Sequence, residues 1–387
     1  MDIQSLVIGV EQYTQQHLSH FLEELRDLCA IDSDSYNKPG LDRMANVLAE
    51  RMRSIGMDAT VVENKGWGND LLGAIRGEGE GTVLLLGHMD TVYPMGTAAM
   101  RPVRVEGNVA YGPGVSDMKG CILSALYAIE AMLVVGYRSF GEIRLLCVSD
   151  EEINRRHCIE LLRRACQNCD GALVLEAART NGNIVSARKG NAYYTLTMRG
   201  RSAHAGVEPE KGRNAVVELA HQILQFESLN GWREGITINP GVVAGGTAPN
   251  VVPDSATARF DLRFSHTADR LAVEERWREM LKEQRVVGVE ATLEIEPMFK
   301  NPMVSTPESM KLVHTAQDIA KVLGFSLQHT TTGGASDGAY ATSFGVPTLD
   351  GLGPIGGRDH SPDEFLMVNS VAPRTALLAG LIASVTE

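Results

Sequence analysis

Three apolar runs, each of strand length, end in ionisable residues: GTVLLLGHMD (81–90), EIRLLCVSDEE (142–152) and GALVLEAA (171–178). Runs of Val, Leu and Ile without polar alternation suit strands covered on both faces. Helix-period segments, KGCILSALYAIEAMLVVG and HCIELLRRACQN, lie between them. Strands alternating with helices fold as an α/β layer with a mainly parallel sheet.

The flanking sequence extends this pattern. SHFLEELRDLCAI and DRMANVLAERMRSIG have apolar residues at helical spacing, the second closing on Gly56, and DATVVEN and DLLGAIRG add short strands. From residue 188 the character changes. NAYYTLTMRG and ATARFDLRFS alternate like half-exposed strands, GRNAVVELAHQILQFESL and TADRLAVEERWREMLKEQ read as helices, and GVEATLEIEPMF completes a set that predicts an open antiparallel sheet with two helices. The first pattern resumes with SMKLVHTAQDIAKVLG. The expected organisation is therefore α/β over 1–187 and 298–387, with a smaller α+β domain inserted over 188–297.

A chain of 387 residues holds two domains. Its net charge of -12 argues against a nucleic-acid backbone as partner, since no basic excess exists to displace counterions. MDIQSLVIGVEQYTQQHL lacks the basic start and apolar core of a leader, and no run approaches the roughly 20 apolar residues of a membrane span. The expectation is a cytoplasmic protein, or a periplasmic one if a leader has been removed, with no membrane partner. Six scattered cysteines form no disulfide framework, and Cys166-Gln-Asn-Cys169 has no companion pair.

The ionisable residues recur where an open α/β sheet gathers its ligands, beyond the carboxyl ends of the strands. His88 and Asp90, two apart, share one face of an extended chain. Asp117 sits in GPGVSDMKG, Asp150, Glu151 and Glu152 follow IRLLCV, Glu176 follows ALVL, and His360 lies in GLGPIGGRDHSPDE. Singly each has an ordinary reading: a hydrogen-bonded pair, a solvated acidic turn, a helix cap, a loop histidine. Together, two imidazoles and three carboxylates without thiolate suit zinc, with cobalt or manganese as substitutes. Such a set can hold two ions about 3.5–4 Å apart sharing one carboxylate, leaving Glu151 to move a proton.

GHMDTVYPMG, YGPGVSDMKG, SDEE, LVLEAA, GRSAHAG and GLGPIGGRDHSPDE, in this order, resemble the motif set of the M20 metallopeptidases, nearest to their carboxypeptidase G2-like (glutamate carboxypeptidase) branch. The resemblance implies a zinc-exopeptidase catalytic domain with an inserted lid and dimerisation domain, and a homodimer. It implies one Zn2+ on His88, Asp117 and Glu176 and another on Asp117, Glu152 and His360, with Asp90 behind His88 and Glu151 as general base. It implies a cis peptide after Asp117. His204 would stabilise the oxyanion of the partner subunit's site, Asn250 and Arg263 would hold the substrate carboxylate, and Gly334 and Ser336 would line the pocket. After DEE the chain reads INRRHCIELL where the family has a Gly-Ser-rich turn, placing Asn154, Arg155, Arg156 and His157 beside the site.

The function so implied is hydrolysis of an amide next to a free carboxylate, in an N-acyl amino acid or short peptide. A glutamate carboxypeptidase-like exopeptidase leads. Arg179, Arg188, Lys189 and the Arg155-Arg156 pair are candidate partners for a side-chain carboxylate. An N-acyl amino acid deacylase of the acetylornithine deacetylase or succinyl-diaminopimelate desuccinylase kind, or a dipeptidase, shares the machinery. A metal-binding sensor without catalysis is the alternative of another class, and Glu151 beside a full donor set weighs against it.

Overall fold

The computed structural model describes residues 1–153 and 157–386, the Met298 side chain excepted. The chain divides into two compact units, one of Met1–Ala187, Met303–Thr332 and Ser336–Glu387, the other of Arg188–Pro302 with Gly333–Ala335.

The first unit is built on a mixed six-stranded sheet. Its strands include β1 (Asp58–Val62), β2 (Asp70–Arg76), β3 (Thr82–His88), β4 (Glu142–Val148) and β5 (Gly171–Val174). They stand in the order β1-β2-β4-β3-β5, followed by Thr348–Leu349. The pairs β4–β3 and β3–β5 are parallel, as is β5 with Thr348–Leu349, whereas β1–β2 and β2–β4 are antiparallel. The apolar runs explain the layering. Val83 and Leu85 join a core with the helices Lys38–Ser54, Lys119–Val134 and Val371–Thr386, while Leu84 and Leu86 join a smaller core with Ile159–Ala165. Alternate residues of one strand thus feed two cores, and helices cover both faces.

Two helices lie outside the segments read from the sequence. The amino-terminal stretch forms a helix, Ile3–Gln16, whose first turn is capped by Asp2 accepting from Ser5 N at 2.8 Å. Val368–Thr386 is long and apolar enough to cross a membrane by length and composition, yet it is 78% buried inside the protein. It is a core helix, packed against Ile3–Gln16 and Lys119–Val134.

The second unit is a four-stranded antiparallel sheet of β6 (Gly190–Arg199), β7 (Thr237–Gly245), β8 (Ser255–Phe264) and β9 (Glu290–Lys300), in the order β7-β8-β6-β9. The helices Ala215–Glu227 and Thr267–Met280 supply Phe226 and Trp277, stacked with centroids 4.7 Å apart, over Phe260 and Tyr194. One apolar stripe from each helix against one sheet face gives this unit its own core.

Candidate metal centre and active site

Strand register assembles the centre. His88 ends β3 opposite Val148 of β4, and Leu86 lies opposite Val174 of β5. His88, the Ser149–Glu152 turn and Glu176 therefore leave three adjacent parallel strands at the same level. Asp117 arrives from the loop before the Lys119 helix, with the Asp117–Met118 peptide cis. His360 comes from the loop after Thr348–Leu349, with φ at 62°, a left-handed conformation uncommon for a residue with a side chain.

Asp117 is the hub. Its Oδ1 lies 3.0 Å from His88 Nε2 and its Oδ2 3.2 Å from His360 Nε2. Glu176 Oε1 stands 3.9 Å from His88 Nε2, and Glu152 Oε2 stands 3.2 Å from His360 Nε2. The structure thus brings His88, Asp117, Glu152, Glu176 and His360 into one cluster, with a carboxylate on each side of the shared Asp117.

The donor set fits cations. His88 Nδ1 lies 3.0 Å from the Asp90 carbonyl and 3.3 Å from Asp90 Oδ1, so its proton belongs there. That leaves the Nε2 lone pair facing two carboxylates, which requires a second proton or a metal. Glu152 Oε1 is buried and accepts no hydrogen bond among the described residues. Burial opposes charge on His88, but hydrogen bonds and attraction from Asp117 and Asp90 raise its pKa well above the usual imidazole value. His360 is pushed up to about 11 by hydrogen bonds to Asp117 and Glu152. Burial raises Asp117, yet the two imidazoles outweigh it and hold the carboxyl well below its ordinary range. Burial lifts Glu152 to about 7. Without metal, protons on the histidines neutralise the carboxylates.

This has a pH signature. A histidine raised on folding stabilises fully below its unfolded pKa of about 6.5, and His360 loses that contribution as pH rises toward about 11. The lowered Asp117 contributes above about 3.9 and less as pH falls below it. The metal-free protein is expected to lose thermal stability between about pH 7 and 10, and a bound divalent ion to remove that slope by displacing the protons. Melting curves across pH, with and without metal, check this; equal slopes would refute it.

Two buried carboxylates hold the cluster in place. Asp90, fully buried, accepts from Ser35 Oγ at 2.7 Å and from the backbone N–H groups of Glu151 and Glu152 at 3.3 and 3.1 Å. Glu151 therefore stands on a turn suspended from the same carboxylate that orients His88. Glu364, 1% exposed, accepts from the backbone N–H of Gly114, Ser116 and Asp117 and from Tyr93 Oη, fixing the loop that presents Asp117. Burial lifts its pKa to about 7. Sequence reasoning missed Glu364; its only signal was a second acid four residues past His360.

In the second unit, His204 and Asn250 come together: His204 pairs with Val251 across a two-stranded ribbon, and Ala205 N donates to Asn250 O at 3.0 Å. Gly206 N donates to His204 Nδ1 at 3.2 Å, which leaves the exposed Nε2 as the protonated nitrogen. Arg263 is paired with Asp261 Oδ2 through Nε and Nη2 at 3.0 and 2.9 Å. Arg188 Nη1 donates to the exposed Gly334 at 3.3 Å. Ser336, in the first unit, has a fully buried side chain whose hydroxyl donates to Asp350 at 2.6 Å, which supports the loop. Residues 154–156 lie outside the described residues, and with them the Arg155-Arg156 pair.

Residues 84–384 match the model of peptidase family M20/M25/M40. The chain is 29% identical to carboxypeptidase G2 of Pseudomonas sp. (strain RS-16), over 93% of this chain and 88% of that protein. It is 30% identical to a succinyl-diaminopimelate desuccinylase of Alkalilimnicola ehrlichii, over 87% and 92%. Among solved structures, the aminopeptidase PepT of Bacillus cereus superposes with a TM-score of 0.83 at 23% identity, over 96% of this chain and 99% of that one. Strand register, a carboxylate shared between two imidazoles, and a match over most of the sequence agree: the chain belongs to peptidase family M20/M25/M40 and is a metal-dependent hydrolase of amide bonds.

Proposed function

We propose that this hydrolase releases an amino acid bearing a free α-carboxylate from an N-acyl or peptidyl substrate, as a glutamate carboxypeptidase-like exopeptidase. The observation that carries this is the Asp117 hub, with an imidazole on each oxygen and Glu151 on the adjoining turn. Zn2+ is the metal proposed, one ion on His88, Asp117 and Glu176 and one on Asp117, Glu152 and His360. When bound, the pair supplies Lewis acidity toward the scissile carbonyl and lowers the pKa of water.

The chain's own residues do the rest. Glu151 accepts the proton of the attacking water and returns it to the amide nitrogen as the C–N bond breaks. Asp90 keeps His88 in the tautomer that presents Nε2 to the metal. His204, with its proton on Nε2, is suited to donate to the oxyanion of the partner subunit's site. Arg263 keeps Nη1 outside its pair with Asp261, and this edge, with Asn250, is assigned to the substrate carboxylate. A homodimer is proposed through the second unit, where edge strand β7 exposes Val242 and Val243, and Val217 and Leu224 of the neighbouring helix are exposed. Light scattering should give about twice the 41.9 kDa chain mass.

The relatives divide between a carboxypeptidase and desuccinylases, so deacylation of an N-acyl amino acid is the second reading. A series of N-acyl amino acids sharing one acyl group, with their methyl esters and an N-succinyl diamino acid, separates the two. The free acids are expected to exceed their esters by roughly 10–10²-fold in kcat/KM, because esterification removes the charge-assisted hydrogen bonds that Arg263 Nη1 and Asn250 would make. Esters cleaved as well as acids would overturn the carboxylate requirement. Fast turnover of the succinyl substrate beside slow release of glutamate would favour the deacylase.

A further inference from the structure

A second set of donors lies beside the catalytic turn and is used by none of the steps above. Asp70 opens β2 and Asp150 follows β4; Leu71 lies opposite Cys147, so the two aspartates fall together at the sheet's end. His157 joins them, and one donor atom from each lies within 4.8 Å of the others. Asp70 and Asp150 are each 1% exposed.

The tautomer of His157 is fixed by its neighbours. Ser149 Oγ has one proton and already faces two oxygens, Gly68 O at 2.7 Å and Asp70 Oδ1 at 3.0 Å. His157 Nε2, 3.3 Å from the same Oγ, must therefore be the donor there. Its Nδ1 lone pair is then directed at Asp150 Oδ2, 3.1 Å away. Both Asp150 oxygens are sealed from solvent and accept no conventional hydrogen bond among the described residues, the weak Cys158 thiol being the other neighbour. Asp337 adds negative charge within electrostatic reach. A lone pair aimed at a buried carboxylate oxygen is accommodated by a proton on one of the two groups or by a metal ion between them. Two donors bound tetrahedrally to one zinc, each at about 2.0–2.1 Å, stand about 3.3 Å apart, close to the spacing seen. Trp67 stacks on the His157 ring, with centroids 6.3 Å apart and planes 17° from parallel, and fixes its orientation.

We propose that Asp70, Asp150 and His157 hold a third divalent transition-metal ion, separate from the pair around Asp117, which anchors the Glu151–Glu152 turn through the adjacent Asp150. Three protein donors leave a fourth position for water. An imidazolium paired with Asp150 would use the same atoms without metal, and metal counting separates the two.

The test is metal content, independent of turnover. Chelator-stripped protein reloaded with Zn2+ and freed of excess should retain three equivalents per chain, and His157→Ala should retain two. Anomalous scattering at the zinc edge from wild-type crystals should place a peak between Asp150 and His157, and this stands even if the variant fails to fold. Two equivalents in the wild type at saturating zinc, a third that survives His157→Ala, or no anomalous peak between these residues would each overturn the proposal.

Discussion

Glu151→Gln is expected to retain the metals bound around Asp117 while losing most turnover. The substitution keeps side-chain size and leaves the backbone N–H that hangs the turn from Asp90 Oδ1. What it removes is a group able to take a proton. General acid–base roles are worth about 10²–10⁴-fold, and more where one carboxylate serves both attack and departure. The neighbouring Glu152→Gln is expected to behave differently. Its Oε2 faces His360 Nε2 and its Oε1 is buried, so the change should appear first as weaker metal retention, with activity partly restored by excess zinc. Metal analysis and kcat on the same preparations separate the two outcomes. Near-normal kcat in fully loaded Glu151→Gln would end the proton-shuttle assignment.

Asp90→Ala should be nearly as damaging, and in a way that metal cannot repair. Loss of a carboxylate behind a metal-binding histidine typically costs 10–100-fold in affinity. Here the same carboxylate also accepts from Glu151 N, Glu152 N and Ser35 Oγ. Removing it leaves the buried Ser35 hydroxyl without its acceptor, at about 1–3 kcal/mol, takes the acceptor from the partly buried Glu151 and Glu152 N–H groups, and frees the turn that aims Glu151. The expected result is weaker zinc binding together with a kcat that stays low at saturating zinc and a lowered melting temperature. Recovery of wild-type kcat by excess zinc alone would limit Asp90 to orienting His88.

The layers of the fold were legible because burial on both faces writes itself into strands such as VLLLG, and amphipathic stripes into helices. Acids and histidines stood out because they interrupt apolar runs at strand ends. Residues whose role depends on distant partners were not legible. Glu364 reads as one more loop acid until Gly114, Ser116 and Asp117, some 250 residues earlier, are seen to donate to it. Ser336 is assigned to the pocket lining by the family resemblance, and only tertiary packing shows Asp350 taking its hydroxyl. His157 looked like disruption of a family turn, whereas the structure sets it against Asp150, stacked on Trp67. The amino-terminal helix lacks a strong charge or cap pattern beyond Asp2, and its stability comes from packing on the carboxyl-terminal helix.

The place of His360 and Glu364 in the chain sets an order of events during synthesis. His88, Asp117, Glu152 and Glu176 leave the ribosome well before either, with Arg188–Pro302 emerging between as a unit with its own core. At about 5–20 residues per second, the earlier donors spend on the order of ten seconds or more without their last imidazole and without the acceptor that fixes the Asp117 loop. Of the two proposed ion positions, the one on His88, Asp117 and Glu176 has its side chains early, whereas the one on Asp117, Glu152 and His360 waits for the carboxyl-terminal segment, which acts as the clasp that closes it.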